Sequence, residues 1–394
     1  MRLAIIGQGL SFAAMIVPIV LGRFDALALI VLSSSISVVV YGWLSFSFPA
    51  LYPVARGPRA ALVSLIASHW PVLIGSAALV VGGLSVPDRD QSVILLASFA
   101  MLAGLTLYNI AMSEAVRTSD IVRINRIRLS YGAGNFMLTV AASLFWSDER
   151  ALVAASAAAF LIASMPELAR DVLRVRDRLD AISVKEVVAY NGQNAAAAVG
   201  RGFSTLAFQA GNLALGGLGG AAAAWAVVLR IAGGFSTVGQ QVAAPAFEMR
   251  FAAALREGRF PDAQKVQLYA VAAGGAIGLA ACVAVVALVH FSDASGQVVG
   301  LGYYSFLAAS TIYALFVGSA SAVTKNLVMA GGQNIFLALS ITKLIVLAAV
   351  IYLVPVGDRI LMLALTEAGF QLIYISVCFL SIRNLQVSEM APAE

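Results

Sequence analysis

The chain has 394 residues, of which 61% are hydrophobic and only 11% are charged, and its formal net charge is +5. Ordinary soluble domains are about a quarter charged, so this chain has too few charged residues to cover a water-exposed surface. The composition excludes a soluble catalytic domain and predicts a membrane protein. In such a protein a positive balance reflects cationic cytoplasmic loops, so no nucleic-acid partner is predicted.

Apolar blocks of about 20 residues follow one another along the chain, and a helix of that length crosses a hydrocarbon core roughly 30 Å thick. The blocks lack the period-two alternation of membrane barrel strands, so the predicted class is all-α and polytopic, with about twelve transmembrane helices. The predicted spans are residues 3–22, 26–47, 60–83, 91–113, 130–146, 151–168, 187–213, 221–246, 266–290, 302–324, 335–354 and 360–381.

The connectors between these spans alternate in charge. Eighteen Lys and Arg residues fall on one side of the membrane, and only four fall on the other, at Arg23, Arg89, Arg150 and Arg359. Cytoplasmic loops carry the excess of Lys and Arg, so both termini are predicted to lie in the cytoplasm.

The longest polar stretch, Ala169–Glu186, separates two sets of six spans. It predicts an N-terminal six-helix bundle over 1–170, a cytoplasmic amphipathic linker over 171–186 and a C-terminal six-helix bundle over 187–394. A faint internal echo supports duplication, because Phe48–Arg56 and Ala244–Arg250 each place a Pro-Ala pair before an aromatic residue and an Arg. Duplicated halves around a central cavity are a common plan of transporters.

We single out four charged side chains inside predicted spans, namely Arg201, Arg230, Lys343 and Glu367. Each costs about 2.5–3.5 kcal/mol at a helix centre on insertion scales, so it must face a partner or water. We therefore predict that they are functional residues. The structural alternative is an ion pair that only fixes helix packing.

Span seven carries a polar stripe at spacings of 4, 7, 4 and 7 residues, which places its members on one helix face. Its members are Tyr190, Asn194, Arg201, Thr205 and Asn212. Span eight repeats the pattern with Arg230, Thr237, Gln241 and Glu248. Two cation-centred stripes predict a hydrated cavity, and its positive charge favours an anionic substrate.

Two further side chains are candidates for coupling transport to an ion gradient. Glu367 lies on one face with Gln371 and Tyr374 in span twelve, so it could pair with an arginine or titrate. His69 in span three is a candidate because histidines ordinarily titrate near neutral pH, which suits proton coupling, although a lone membrane histidine is more often a packing residue. Lys343 has no accompanying stripe.

The sequence motifs of enzymes are missing. The chain has no Gly-rich phosphate loop, and its two histidines and two cysteines are too isolated for a zinc site or a nucleophilic triad. No catalytic residue, metal or cofactor is predicted, and the chain is not predicted to be an enzyme.

Two stretches carry a family resemblance. The segment AWAVVLRIAGGFSTVGQQVAAPAFEMRFAAALREGRFPDAQK (residues 224–265) has a helix with an Arg, a Pro near its inner end and a short charged loop, and the segment NLVMAGGQNIFLAL (residues 326–339) has a Gly turn into the next helix. Both resemble the bacterial polysaccharide flippases of the O-antigen type, in the multidrug, oligosaccharidyl-lipid and polysaccharide exporter superfamily.

The resemblance implies a polyprenyl-pyrophosphate-linked oligosaccharide as cargo, moved across the bacterial inner membrane, where glycan polymerase and glycosyltransferases would be partners. It implies that Arg201, Arg230 and, less directly, Lys343 contact the anionic glycan lipid. The chain departs from the family in having no arginine within the predicted spans of its first half. The alternatives are a small-molecule or drug antiporter of the same superfamily, an integral membrane enzyme of glycan assembly and a non-transporting scaffold.

Overall fold

The structure, a computed structural model, describes residues 2–21, 24–146, 148–175, 182–213, 222–291 and 302–390. These residues form α-helices joined by short turns, without a strand among them, which confirms the predicted all-α class. The helices are α1 Arg2–Val20, α2 Phe24–Leu44, α3 Phe48–Leu51, α4 Gly57–Ser85, α5 Arg89–Arg117, α6 Ile121–Phe145, α7 Glu149–Val175, α8 Val184–Leu213, α9 Ala222–Val238, α10 Ala244–Arg256, α11 Phe260–Phe291, α12 Tyr303–Ala320, α13 Asn326–Met329, α14 Gln333–Leu353 and α15 Val356–Met390.

Seven of these helices are long and apolar enough to cross a membrane, and the bent pair α2–α3 would make an eighth. The seven are α4, α5, α7, α11, α12, α14 and α15. Large apolar side chains on α4, including Leu73 and Leu84, are 70% and 74% exposed, which suits a surface that faces lipid chains. The chain is a multi-pass membrane protein.

The twelve predicted spans each coincide with helix, but α6 begins earlier than predicted. Its first residue is Ile121 instead of residue 130, so Arg123 and Arg128, expected in a cytoplasmic connector, lie inside the helix and are buried. The first unit therefore has two buried arginines at the start of a long helix, ahead of the predicted span 130–146. The hydropathy pattern missed the first turns of α6 because Arg123, Arg126 and Arg128 lower the local average hydropathy.

The chain divides into two compact units, Met1–Ala198 and Val199–Glu394, and the division falls inside α8. The predicted linker, residues 171–186, lies where α7 continues to Val175 and α8 begins at Val184. Residues 176–181 of that linker lie outside the described residues.

In the first unit, α1 packs directly on α6 through glycines. A Cβ atom on Gly132 would lie 1.9 Å from the carbonyl oxygen of Gly7, and one on Gly7 would lie 2.5 Å from the carbonyl oxygen of Arg128. Membrane helices associate closely where small residues let their backbones touch.

In the second unit, α11 packs on α12 in the same way. Gly274 and Gly278, four residues apart, would place Cβ atoms 2.0 Å from the Ser319 carbonyl oxygen and 2.3 Å from that of Leu315. The pair forms a G-x-x-x-G face, which is typical of tightly crossing membrane helices. Substituting either glycine would push the two backbones apart.

The second span of each unit is interrupted just before a Pro-Ala pair. In the first unit α2 stops and α3 starts at a bend of 56°, with Phe46 and Ser47 in left-handed backbone conformation at φ 47° and 55°. In the second unit a π-helical segment, Gly239–Ala243, separates α9 from α10. Pro49 and Pro245 follow these breaks, and a proline ring clashes with the carbonyl four residues earlier, which explains both interruptions.

The start of α8 is fixed by a capping box. The Ser183 backbone N–H donates to Glu186 Oε2 at 2.9 Å, and the Glu186 backbone N–H donates to Ser183 Oγ at 3.3 Å. Arg59 of α4 adds an ion pair to Glu186 at 2.9 Å. The hydrogen bonds from Ser183, and to a smaller extent Arg59, lower the pKa of the Glu186 carboxyl.

Candidate substrate-binding site

The first part of the predicted polar stripe of α8 is engaged in packing. Tyr190 Oη lies 2.7 Å from Ser64 Oγ of α4, and the Asn194 side-chain amide donates to the Tyr190 carbonyl oxygen at 2.8 Å. Asn194 is buried. The Tyr190 bond connects α8 to α4 within the first unit, as polar side chains do between membrane helices, whereas the Asn194 bond lies within α8.

The second part of the stripe lies in the second unit, where Arg201 is exposed. Thr205 Oγ1 donates to the Arg201 carbonyl oxygen at 2.9 Å, so this hydroxyl is satisfied by its own helix. The side chain of Asn212 lies outside the described residues.

The predicted stripe of span eight meets the π-helical segment, which contains Gln241. A π segment inserts an extra residue into the helical turn, so a spacing of 3.6 residues cannot be carried unchanged from α9 into α10. The side chains of Arg230, Thr237 and Gln241 lie outside the described residues. Glu248, in contrast, is 2% exposed, and its Oε2 lies 2.8 Å from Lys325 Nζ.

Lys343 and Glu367 are brought together by α14 and α15. Lys343 Nζ lies 2.8 Å from Glu367 Oε1 and 2.7 Å from Oε2, and the Gln371 amide donates to Oε1 at 2.6 Å. Glu367 is only 9% exposed. Glu367 therefore pairs with Lys343, which has no accompanying polar stripe, and not with one of the arginines.

A third buried carboxylate, which the sequence analysis did not single out, belongs to the first unit. Glu167 of α7 is 3% exposed and lies 3.2 Å from Arg123 Nε and 2.9 Å from Arg126 Nη1 of α6. The spacing of Arg123 and Arg126, three residues apart, could have indicated a shared partner had the early start of α6 been recognised.

His69 is held in the first unit by α3 and its own helix. Its Nδ1 lies 2.7 Å from the Leu65 carbonyl oxygen, and its ring meets the Phe48 ring edge-on at 4.4 Å between centroids. The Nε2 atom is buried and has no hydrogen-bond partner among the described residues. Among these residues, moreover, no group of three His, Cys, Asp or Glu could hold a metal ion.

Neither protein-family models nor curated protein sequences match the chain. Solved structures, however, match along nearly its whole length. The MATE transporter ClbM, in complex with Rb⁺, aligns with a TM-score of 0.73 at 14% identity, over 99% of this chain and 95% of that one. A MATE protein in complex with MaD5 aligns with a TM-score of 0.68 at 15% identity, over 98% and 94%.

The Vibrio cholerae MATE transporter VcmN in its bent form also aligns, with a TM-score of 0.58 at 13% identity, over 98% and 99%. Another neighbour is an outward-facing multidrug resistance MATE transporter of the MOP superfamily, with a TM-score of 0.58 at 14% identity, over 99% and 93%. The chain therefore has the fold of the MATE transporters, a class of multi-pass membrane transporter. Similarity at this level of identity shows the fold alone.

Proposed function

We propose that the protein is a transporter of the MOP superfamily that moves a lipid-linked, polyprenyl-pyrophosphate oligosaccharide across the bacterial inner membrane. The fold supports transport as the activity, and the arrangement of the buried charges supports an anionic cargo. The three buried carboxylates among the described residues, Glu167, Glu248 and Glu367, are each held by a Lys or Arg of the same unit.

This pairing matters because a transporter of organic cations needs a carboxylate that is available to its cargo. A carboxylate that already binds an ammonium or guanidinium at 2.7–3.2 Å would have to give up that partner first. Arg201 is an exposed cation near the middle of α8, within predicted span seven. Arginine binds phosphate oxygens through two parallel hydrogen bonds, which favours an anionic cargo with a diphosphate group.

In this proposal Arg201 and Arg230 contact the cargo, and the polar residues of α8 and α9 accompany them. Lys343 serves a different purpose, since its ammonium neutralises Glu367. Coupling to an ion gradient then falls to Glu367, which would have to release Lys343, or to His69, whose buried Nε2 has no hydrogen-bond partner among the described residues. The drug antiporter remains the second candidate, supported by the multidrug transporter among its structural neighbours.

The test is translocation of a fluorescent polyprenyl-pyrophosphate oligosaccharide in proteoliposomes. We expect Arg201→Ala and Arg230→Ala to reduce the rate at least tenfold while the purified proteins stay monodisperse. Lys265→Ala, which removes an exposed cation from the start of α11, is the matched control and should leave the rate unchanged. If the unmodified protein moves none of a panel of lipid-linked glycans but expels a cationic dye, the drug antiporter is the correct function.

A further inference from the structure

The ion pair between Arg126 and Glu167 lies at the edge of the membrane in the first unit. Arg126 comes just before the predicted span 130–146, and Glu167 lies at the end of the predicted span 151–168. Both α6 and α7 therefore pass from the apolar core to the polar boundary at this level. The side chain of Arg126 is 51% exposed, whereas that of Glu167 is 4% exposed. The pair thus has a buried anionic end and an exposed cationic end.

Aromatic stacking fixes the register of the two helices that carry this pair. The Tyr131 ring of α6 stacks on the Phe160 ring of α7, with 4.6 Å between centroids and 24° between the ring planes. From that contact α6 runs back to Arg126 and α7 runs on to Glu167, so the two antiparallel helices meet again at the membrane edge. The position of the Arg126 guanidinium is therefore set by packing deeper in the unit.

Two guanidinium groups share the Glu167 carboxylate, so these three side chains have one positive charge in excess. Arg123 Nε lies 3.2 Å and Arg126 Nη1 lies 2.9 Å from its oxygens. Asp120, the acidic residue just before α6, is the N-cap, and its carboxylate accepts the Arg123 backbone N–H at 2.9 Å at the positive end of the helix dipole. A guanidinium has five N–H donors, so the bond from Nη1 to Glu167 leaves donors of Arg126 for a second anion.

The surface around this cation contains exposed apolar side chains. Val122, four residues before Arg126 on the same side of α6, is 63% exposed, and Ile162 and Met165 of α7 are exposed as well. A cation beside exposed apolar side chains is typical of the boundary between the hydrocarbon core and the lipid headgroups. A lipid with an anionic head and apolar chains matches both features, whereas a soluble anion would leave the apolar side chains uncovered.

We propose that the α6–α7 edge, formed by Val122, Arg126, Ile162 and Met165, binds an acidic phospholipid of the surrounding bilayer. The phosphodiester of the lipid accepts hydrogen bonds from the exposed side of the Arg126 guanidinium, and its single negative charge balances the excess of the ion-paired group. Glu167 holds the guanidinium from the buried side. The ligand is a structural lipid, so the inference goes beyond the proposed function and does not depend on the transported cargo.

The experiment measures phospholipid binding to the purified full-length protein by native mass spectrometry. Dioleoyl phosphatidylglycerol is compared with dioleoyl phosphatidylcholine, whose headgroup adds a cation to the same phosphodiester. One cation near a membrane surface strengthens the binding of acidic lipid by a factor of about five, so we expect phosphatidylglycerol to bind about fivefold more tightly. Arg126→Gln should reduce this preference to within about twofold while the protein stays monodisperse.

Two further variants separate a specific site from a general attraction of cations for acidic lipid. Arg126→Lys keeps the charge and loses the planar fork, so it should retain a preference of about two- to threefold for phosphatidylglycerol. Lys265→Gln is the matched control, because Lys265 is the exposed sixth residue of α11 as Arg126 is the sixth residue of α6. This control should keep the full preference.

Three outcomes would overturn the proposal. An unchanged preference in Arg126→Gln would show that this guanidinium does not bind the headgroup. An equal loss in Lys265→Gln would show that any exposed cation acts in the same way and that the α6–α7 edge is no site. If glycerophosphoglycerol, the soluble headgroup of phosphatidylglycerol, binds as tightly as the lipid and with the same dependence on Arg126, the ligand is a soluble phosphodiester and the lipid surface is refuted.

Discussion

The ion pair between Lys343 and Glu367 gives the sharpest test of the energetics in the second unit. Replacing Lys343 with Met shortens the side chain by one atom and removes its charge. The carboxylate of Glu367, 9% exposed between α14 and α15, would keep the Gln371 amide as its hydrogen-bond partner among the described residues.

The expected cost follows from this geometry. Removing one partner of a buried ion pair costs about 3–5 kcal/mol, because the other charge stays buried without compensation. We expect Lys343→Met to lower the free energy of unfolding by about 3 kcal/mol. The double variant Lys343→Met with Glu367→Gln removes both charges and should recover to within about 1 kcal/mol of the unmodified protein.

The measurement is reversible unfolding in mixed micelles, followed by circular dichroism as the fraction of denaturing detergent rises. Lys265→Met, which removes an exposed lysine on α11, is the control and should change the free energy of unfolding by no more than about 0.5 kcal/mol. If Lys343→Met costs no more than this control, or if Glu367→Gln fails to rescue it, the pair does not stabilise the second unit and the reasoning is wrong.

Three further predictions concern packing, pH and topology. Gly274→Ala should destabilise the protein by about 1–3 kcal/mol, because its Cβ would meet the Ser319 carbonyl oxygen, whereas Gly275→Ala, with open space around its Cβ, should be neutral in the same unfolding assay. The pKa of Glu186 is lower in the folded than in the unfolded protein, so its capping box stabilises the fold above the unfolded pKa of about 4.3 and loses this effect as the pH falls through the folded pKa. Glu186→Gln should therefore flatten this part of the curve of unfolding free energy against pH. An unchanged curve would contradict the role of Glu186 in the capping box. If both termini are cytoplasmic, a C-terminal fluorescent protein should fluoresce and a C-terminal alkaline phosphatase should be inactive, and active phosphatase would reverse the predicted orientation.

Hydrophobic block length was sufficient to locate the long helices, because each span must satisfy its own backbone and contain about 20 apolar residues. Block length failed to predict where α6 begins, because the first turns of this helix contain charged residues. The first turns of α6 contain Arg123 and Arg126, which pair with Glu167, and Arg128, which is buried. A local average of hydropathy contains no information about that partner.

The candidate site shows the same limit in another form. Spacing placed Tyr190, Asn194 and Arg201 on one face of α8, and the structure divides this face between polar packing against α4 and an exposed guanidinium. Periodicity defines a direction on a helix but does not identify the neighbour. Lys343 and Glu367, 24 residues apart, were both noticed as costly charges, yet their pairing depends on how α14 packs on α15. The repeated Pro-Ala pairs could be recognised in the sequence, but the bend between α2 and α3 and the π-helical segment before α10 could not be predicted from it.

The way the buried carboxylates are paired has a consequence for biogenesis. Glu167 finds Arg123 and Arg126 within the first unit, and Glu248 and Glu367 find their lysines within the second. Each of these three carboxylates can therefore pair without residues from the other unit. The N-terminal half can therefore neutralise the Glu167 carboxylate while the ribosome is still synthesising the C-terminal half. If the two halves were expressed as separate fragments, each fragment would contain the cations that pair with its own buried glutamates.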